Sequence, residues 1–281
     1  MIQYMKKTFG ILGCGFLGSI VATAYQRGFL DDYDFIGAYS DKEADVDRLL
    51  AVAGQGKAFT SVDAIIDAKP DMLIETASVA FFKSMAVKAL EQGISLIPLS
   101  IGSFADKAFY DEAMQAAQAN QAKIYIPSGA VGGFDVLQTV SLMAEAGVDH
   151  NHPFGRENDL TDHKTEVHTH KNPGPIMGTE LYSDEVISQM KTVFDGTAED
   201  VIKILPTQVN VMVAAALASS GPDQTGAKIT TVPGFVGDDH RTVIETHGIR
   251  GIIDIYSSTS AIAGWSIVAL MRNLASPMEF F

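Results

Sequence analysis

Residues 8–18 read TFGILGCGFLG, and this stretch decides the fold. Thr8–Leu12 is a short apolar run that predicts a strand, and the periodicity after it predicts a helix over Gly18–Gly28. Between them stands Gly13-Cys14-Gly15-Phe16-Leu17-Gly18, a GxGxxG string in a strand–turn–helix setting, where such a match carries weight. Each glycine then has its own task. The first permits the tight turn, the second lets main chain approach a pyrophosphate, and the third lets the helix pack close to the strand. The helix start adds unpaired N–H groups and a partial positive charge. Gly13, Gly15, Phe16, Leu17 and Gly18 are therefore expected to hold the phosphates of a dinucleotide, the plain alternative being a strand-to-helix turn.

The pattern continues outward from this turn. Strands are predicted at Phe35–Tyr39, Met72–Glu75, Ser95–Leu99 and Lys123–Pro127. Helices are predicted at Lys42–Ala53, Ser61–Ala68, Phe81–Gln92 and Asp106–Asn120. Strand–helix alternation at this spacing implies an α/β fold with a doubly wound parallel sheet, a Rossmann domain over residues 1–127. Past Ser128 the alternation breaks at Gly129, Gly132 and Gly133. Helices are predicted at Phe134–Ala146, Ser183–Phe194, Ala198–Lys203 and Asn210–Ser219. Strands are predicted at Glu166–His170, Lys228–Val232, Thr242–Thr246 and Gly251–Ser257. Residues 128–258 thus read as an α+β substrate domain, with an insertion or loop over 147–165. The amphipathic segment Ser260–Leu274 reads as a helix returning to the first domain, so that 259–281 belong with it. Trp265 is expected in a core, and Phe280–Phe281 as a frayed end.

Composition narrows the function classes. With 34 acidic against 20 basic residues, the net charge of −14 disfavours nucleic-acid and anionic-membrane partners. No run reaches the apolar length of a membrane span. Lys6-Lys7 before the apolar turn imitates a secretory signal, but no small-residue cleavage site follows. The single cysteine, Cys14, rules out an intramolecular disulfide and suits a reducing cytoplasm.

The residue ending the second strand reads the cofactor's ribose. Ser40 and Asp41 compete for that place: a carboxylate favours NAD, whereas a small polar residue near a cation, here Lys42, tolerates the NADP phosphate. The cofactor expectation is NAD or NADP.

Three strings, DMLIETAS from Asp71, ALEQGISLIPLSIGSFAD from Ala89 and IYIPSGAVGGFD from Ile124, resemble the L-aspartate dehydrogenase family, relatives of homoserine dehydrogenase. The likeness continues through FDGTAEDVIKILPTQVNVMVAAALA and VPGFVGDDH and is weak over about 147–165. It implies NAD(P)-dependent oxidation of L-aspartate, by way of iminoaspartate, to oxaloacetate and ammonia, or the reverse, in a homodimer or higher homo-oligomer acting on a small-molecule substrate. Two alternatives stand beside it: a dehydrogenase of the same scaffold acting on another amino acid or a homoserine-type alcohol, and a nucleotide sensor without turnover.

Ala77 and Ser100, just past predicted strands at the sheet's carboxyl edge, join the expected cofactor contacts. Backbone at Ser128 and Gly129 can hold a substrate carboxylate. The resemblance implies that Ala130 touches the nicotinamide part of the cofactor, and a hinge is the other reading. Asn210 stands where a helix begins and can cap it; by resemblance it also bonds the cofactor near the nicotinamide. The family often has asparagine where Gln208 stands.

The same likeness implies that His240, seven residues past Pro233, is the catalytic acid/base. The family's Asn-x-His reads Asp238-Asp239-His240 here, and Gly248 arrives about two residues late, so a register shift would promote His247 instead. An imidazole with an ordinary value near ~6.5 suits the proton traffic of amine oxidation, and two flanking carboxylates would raise that value. Lys171, in THKNPGP, is the expected carboxylate anchor, with Arg241 and Arg250 as weaker options. His150-Asn-His152, His163 and His168-Thr-His170 have ligand-like spacing, but the sequence pins no full ligand set. Hydride transfer needs no metal, and none is expected.

Overall fold

The computed structural model describes residues 6–146, 163–206, 209–246 and 248–280. The chain divides into two compact units, Met1–Gly129 with Ser260–Phe280, and Ala130–Thr259.

Unit 1 alternates as its apolar runs dictate: β1 (Lys7–Leu12), α1 (Phe16–Gln26), β2 (Tyr33–Tyr39), α2 (Glu43–Ala53), β3 (Lys57–Ala58), α3 (Val62–Asp67), β4 (Met72–Glu75), α4 (Val79–Glu91), β5 (Ser95–Pro98) and α5 (Lys107–Ala119). The strands pair in parallel in the order β3-β2-β1-β4-β5, the doubly wound arrangement expected. The chain crosses from β3 at the sheet edge back to β4 beside β1, and the carboxyl ends of β1 and β4 then face one crevice, where such sheets bind ligands. The predicted strand Lys123–Pro127 shrinks to a single bridge, Leu96 to Ile124. Pro127 has no N–H to extend that ladder. The two-residue β3 is too short for its pattern to be read from sequence.

Unit 2 begins with α6 (Phe134–Ala146), then β6 (Lys164–Lys171), β7 (Lys191–Thr197), α7 (Ala198–Ile204), α8 (Asn210–Leu217), β8 (Gly226–Thr231), β9 (Asp238–Thr246) and β10 (Ile249–Ser257). Its sheet is mixed, in the order β10-β9-β6-β8-β7, with β6 and β8 parallel and the other pairs antiparallel. One face is covered by α6, α7 and α8. The predicted helix Ser183–Phe194 is instead a short 3₁₀ turn, Asp184–Ile187, followed by β7. A helical stripe would have buried Val186, Ile187 and Met190 together. Only Val186 is buried, and the β-branched Thr192, Val193 and Thr197 suit the ladder with β8.

The last helix, α9 (Ala261–Ala275), packs on α1, as expected. Ile267, Val268 and Met271 join Phe9, Ile11, Val21 and Leu49 in one core, each contributing about 1.5–3 kcal/mol by burial. The helices approach closely at Gly264, where a Cβ would meet Ile20 Cδ1 at 2.9 Å. Trp265 is not in this core: it is 41% exposed and meets Phe29 edge-on. Nor is the tail frayed at Phe280, whose N–H donates to Asn273 Oδ1 at 2.7 Å while its carbonyl accepts from Asn273 Nδ2. No described helix is long and apolar enough to cross a membrane.

Candidate active site

The glycine turn after β1 has the shape its sequence requires. Gly13 has φ +92°, and a Cβ there would lie 2.8 Å from the Ala77 nitrogen. A Cβ on Gly18 would come within 2.3 Å of the Gly13 carbonyl oxygen. These two glycines are needed by the fold. Gly15 is different: its φ is −80°, and a Cβ there would meet no atom within 4 Å. No described residue requires glycine at that place, so the space it leaves suits a ligand.

Gly15 is also the N-cap of α1, and Phe16 and Leu17 are its first residues. No acidic side chain in the first turn offsets the positive helix end. A cleft of about 310 Å³ opens here, lined among others by Gly13, Gly15, Tyr39, Asp41, Thr76 and Phe81. Turn, helix end and cleft together fit a dinucleotide pyrophosphate. Gly15→Ala is accordingly expected to change folding stability by only about 1 kcal/mol while weakening NAD(P)H at least about tenfold. Thermal melts and fluorescence titration check this; unchanged affinity would contradict it.

At the end of β2, Ser40 and Asp41 both line the cleft. Tyr39 donates its hydroxyl to Asp41 Oδ1 at 3.3 Å and stacks on Phe81 at 6.3 Å. Cys14 is buried, and its thiol is pushed up to about 12, chiefly by that burial, so it stays protonated and serves packing.

Ala77 lines the same cleft, but its N–H donates to Glu75 Oε1 at 2.7 Å. Ser100 is buried and gives both donors to Glu75. Neither N–H is therefore left for a cofactor, and contacts from these residues would use other atoms. Ser100, Ser128 and Gly129 do not line the cleft. Ala130 lies in the turn that precedes α6, at the start of unit 2.

Unit 2 gathers the other candidates on the covered face of its sheet. Along β6, Thr165, Val167, Thr169 and Lys171 are buried, while Glu166, His168 and His170 face the other way. The antiparallel register sets Thr169 opposite His240 and Lys171 opposite Asp238. His240 therefore stands inside β9, not on a loop as its sequence context suggested, because pairing with β6 starts four residues earlier than the predicted strand. Its Nδ1 lies 2.9 Å from Thr169 Oγ1, and no described residue bonds Nε2. Lys171 Nζ lies 3.6 Å from Asp238 Oδ1, with only 7% of the Lys171 side chain exposed.

The expected upward shift of the imidazole is reversed. Burial drives His240 down to about 4, Asp238 opposes this, and the Lys171 ammonium reinforces it. The ring is neutral near pH 7 and thus has a lone pair to accept a proton.

Arg241 and Arg250 are on the opposite face, exposed and paired with Asp254 and Glu245. Lys171 is thus the cation beside His240. Asn210 does not cap α8; it is the first helical residue, and Val209 holds the cap position. His247, Gln208 and residues 147–162 lie outside the described residues. The His168 and His170 rings lie 4.3 Å apart, tilted by 38°, on the opposite face of the sheet, where His168 Nε2 meets Thr230 Oγ1. Among the described residues no group of three or more His, Cys, Asp or Glu converges as a metal site.

Two residues that contact the candidates escaped the sequence reading. The alternation in KTEVHTHK places Thr169 with Lys171, a signal overlooked beside the two histidines. The carboxylate closing the apolar run MLIE, Glu75, was open to the same scrutiny.

Residues 13–127 match the family model described as homoserine dehydrogenase, NAD binding domain, and residues 159–274 match aspartate dehydrogenase, C-terminal. The L-aspartate dehydrogenase of Methanococcus maripaludis strain C5 is 30% identical over 96% of this chain and 97% of its own. That of Methanocaldococcus jannaschii is 27% identical over the same shares. The crystal structure of aspartate dehydrogenase from Thermotoga maritima superposes with a TM-score of 0.72, at 21% identity, covering 99% of this chain and all of that one. With this likeness to its relatives along nearly its whole length, the chain belongs to the L-aspartate dehydrogenase family and is an NAD(P)-dependent amino-acid dehydrogenase.

Proposed function

We propose that the chain oxidises L-aspartate with NAD(P)⁺ and water to oxaloacetate, ammonia, NAD(P)H and a proton, a reaction that also runs in reverse. The observation that carries this reading is the buried trio on one sheet face: Thr169, Lys171 and His240. When bound at the glycine turn, through Gly13, Gly15 and Gly18, with Ser40 or Asp41 at its ribose, the dinucleotide supplies a hydride acceptor.

The protein's own residues supply the rest. The Lys171 ammonium anchors a substrate carboxylate, a strong contact because little water competes for it. Thr169 holds Nδ1 of His240 and so sets the ring's orientation. His240 Nε2 takes a proton from the substrate amine as the Cα–H bond breaks, leaving iminoaspartate. It returns that proton to the imine nitrogen, takes another from the water that adds to the imine carbon, and gives this one to the amine as ammonia leaves, while the hydroxyl proton goes to solvent.

Asn210, Ala77, Ser100 and Ala130 are proposed at the cofactor's nicotinamide end, and Ser128 and Gly129 at the substrate. The reading extends to a homo-oligomer, for which the sheet face of unit 2 opposite His240 offers exposed Ile252 and Tyr256, and to the cytoplasm, which suits the reduced Cys14.

The test is reduction of NAD⁺ or NADP⁺ by the purified chain across a panel of amino acids. L-Aspartate is expected to give the highest kcat/KM. Turnover of another amino acid without aspartate would keep the enzyme and change the substrate. Silence across the panel would remove the reading.

A further inference from the structure

Glu75 closes β4 with no exposed surface and is the only buried carboxylate among the described residues. No described cation pairs with it. An unpaired buried charge is costly unless donors surround it. Here Oε1 accepts from the Ala77 N–H at 2.7 Å and from the Ser100 hydroxyl at 2.9 Å. Oε2 accepts from the Ser100 N–H at 3.2 Å. These donors come from two separate loops, after β4 and after β5.

The next residue ties a third. Thr76 donates its N–H to Leu12 O at 2.8 Å and its hydroxyl to Gly13 O at 2.7 Å. Glu75-Thr76 therefore joins the ends of β1, β4 and β5 at the edge of the cleft. The same tie fixes the start of α4: Ser78 is its N-cap and accepts from the Phe81 N–H at 3.2 Å. Ala77, Ser78 and Phe81 all line the cleft. A carboxylate that engages the donors of a ligand-lining loop does not bind the ligand itself; it fixes where the loop's other atoms stand.

We propose that Glu75 is a positioning residue for the dinucleotide, holding the loop after β4 and the start of α4 against the glycine turn so that cofactor affinity depends on its carboxylate. This inference rests on reading the cleft as the dinucleotide site. Glu75→Gln keeps the shape but turns one acceptor into an NH₂ group facing N–H donors.

The test is fluorescence titration of the full chain with NADH and NADPH, alongside thermal melts without nucleotide and steady-state kinetics. Glu75→Gln is expected to weaken the preferred nucleotide at least about tenfold, roughly one charged hydrogen bond. KM for the cofactor is expected to rise while KM for aspartate stays within about twofold. A lower melting temperature with unchanged affinity would make the carboxylate merely structural and overturn the proposal. If Glu75→Gln does not fold, Glu75→Asp keeps the charge but withdraws it by one methylene and is expected to weaken binding about threefold or more; unchanged affinity there overturns the proposal equally. A wild-type chain that binds neither nucleotide would remove the cleft reading first, a result visible without any variant.

Discussion

His240→Asn is expected to lower kcat for aspartate oxidation by about 100- to 10,000-fold, the usual range for a general base, while nucleotide affinity in titration stays near wild type. Asparagine can still meet Thr169 but cannot accept the proton. The neutral resting state of the ring follows from its burial and can be checked separately. An NMR titration of the His240 ring is expected to show a midpoint near 4, not near ~6.5. Because the unfolded chain binds that proton first, this group's contribution to stability is complete above about pH 6.5 and is lost as pH falls towards 4. Thr169→Val, nearly isosteric, should lower kcat while leaving the melting temperature within a few degrees, and should move the ring's titration. A kcat unchanged in His240→Asn would mean that another group moves the proton.

The second large effect is expected at Lys171. Lys171→Met keeps much of the side chain's volume and removes the charge. The lost charge-assisted bonds correspond to about 1.5–3 kcal/mol, so kcat/KM for aspartate should fall by about 10- to 150-fold. Most of the loss should appear in KM, because the anchor holds substrate and transition state alike. Asp238, 46% exposed, keeps water when its partner is gone, so the fold should survive. Loss of the ammonium should also raise the His240 titration midpoint, since Lys171 helps to depress it. An unchanged KM would place the substrate carboxylate elsewhere.

Much of unit 1 is legible from the chain because its signals are local. TFGILGCGFLG combines a strand, a turn and a helix start within eleven residues, and β2, β4 and β5 are apolar runs that need no partner to be recognised. Unit 2 depends on pairing. His240 and Lys171 can both be singled out in the sequence, but only the β6–β9 register shows that they share a face. The same ladder draws residues 238–241 into a strand that alternation alone begins at Thr242. The region 183–194 failed for a related reason: its apolar spacing suits a helix, and the edge of β8 claimed it instead. The direction of the His240 shift required burial, which no flanking residue reveals. Asp238 and Asp239 point to a higher value, whereas desolvation and Lys171 produce a lower one.

The central claim is hydride loss from Cα of L-aspartate, coupled to deamination. L-Aspartate deuterated at Cα, incubated with the full chain and NAD⁺ or NADP⁺, tests it most directly. The expected result is deuterium in the reduced nicotinamide, with one ammonia released for each reduced cofactor. Ammonia formed without cofactor reduction, or deuterium released to water instead, would contradict it.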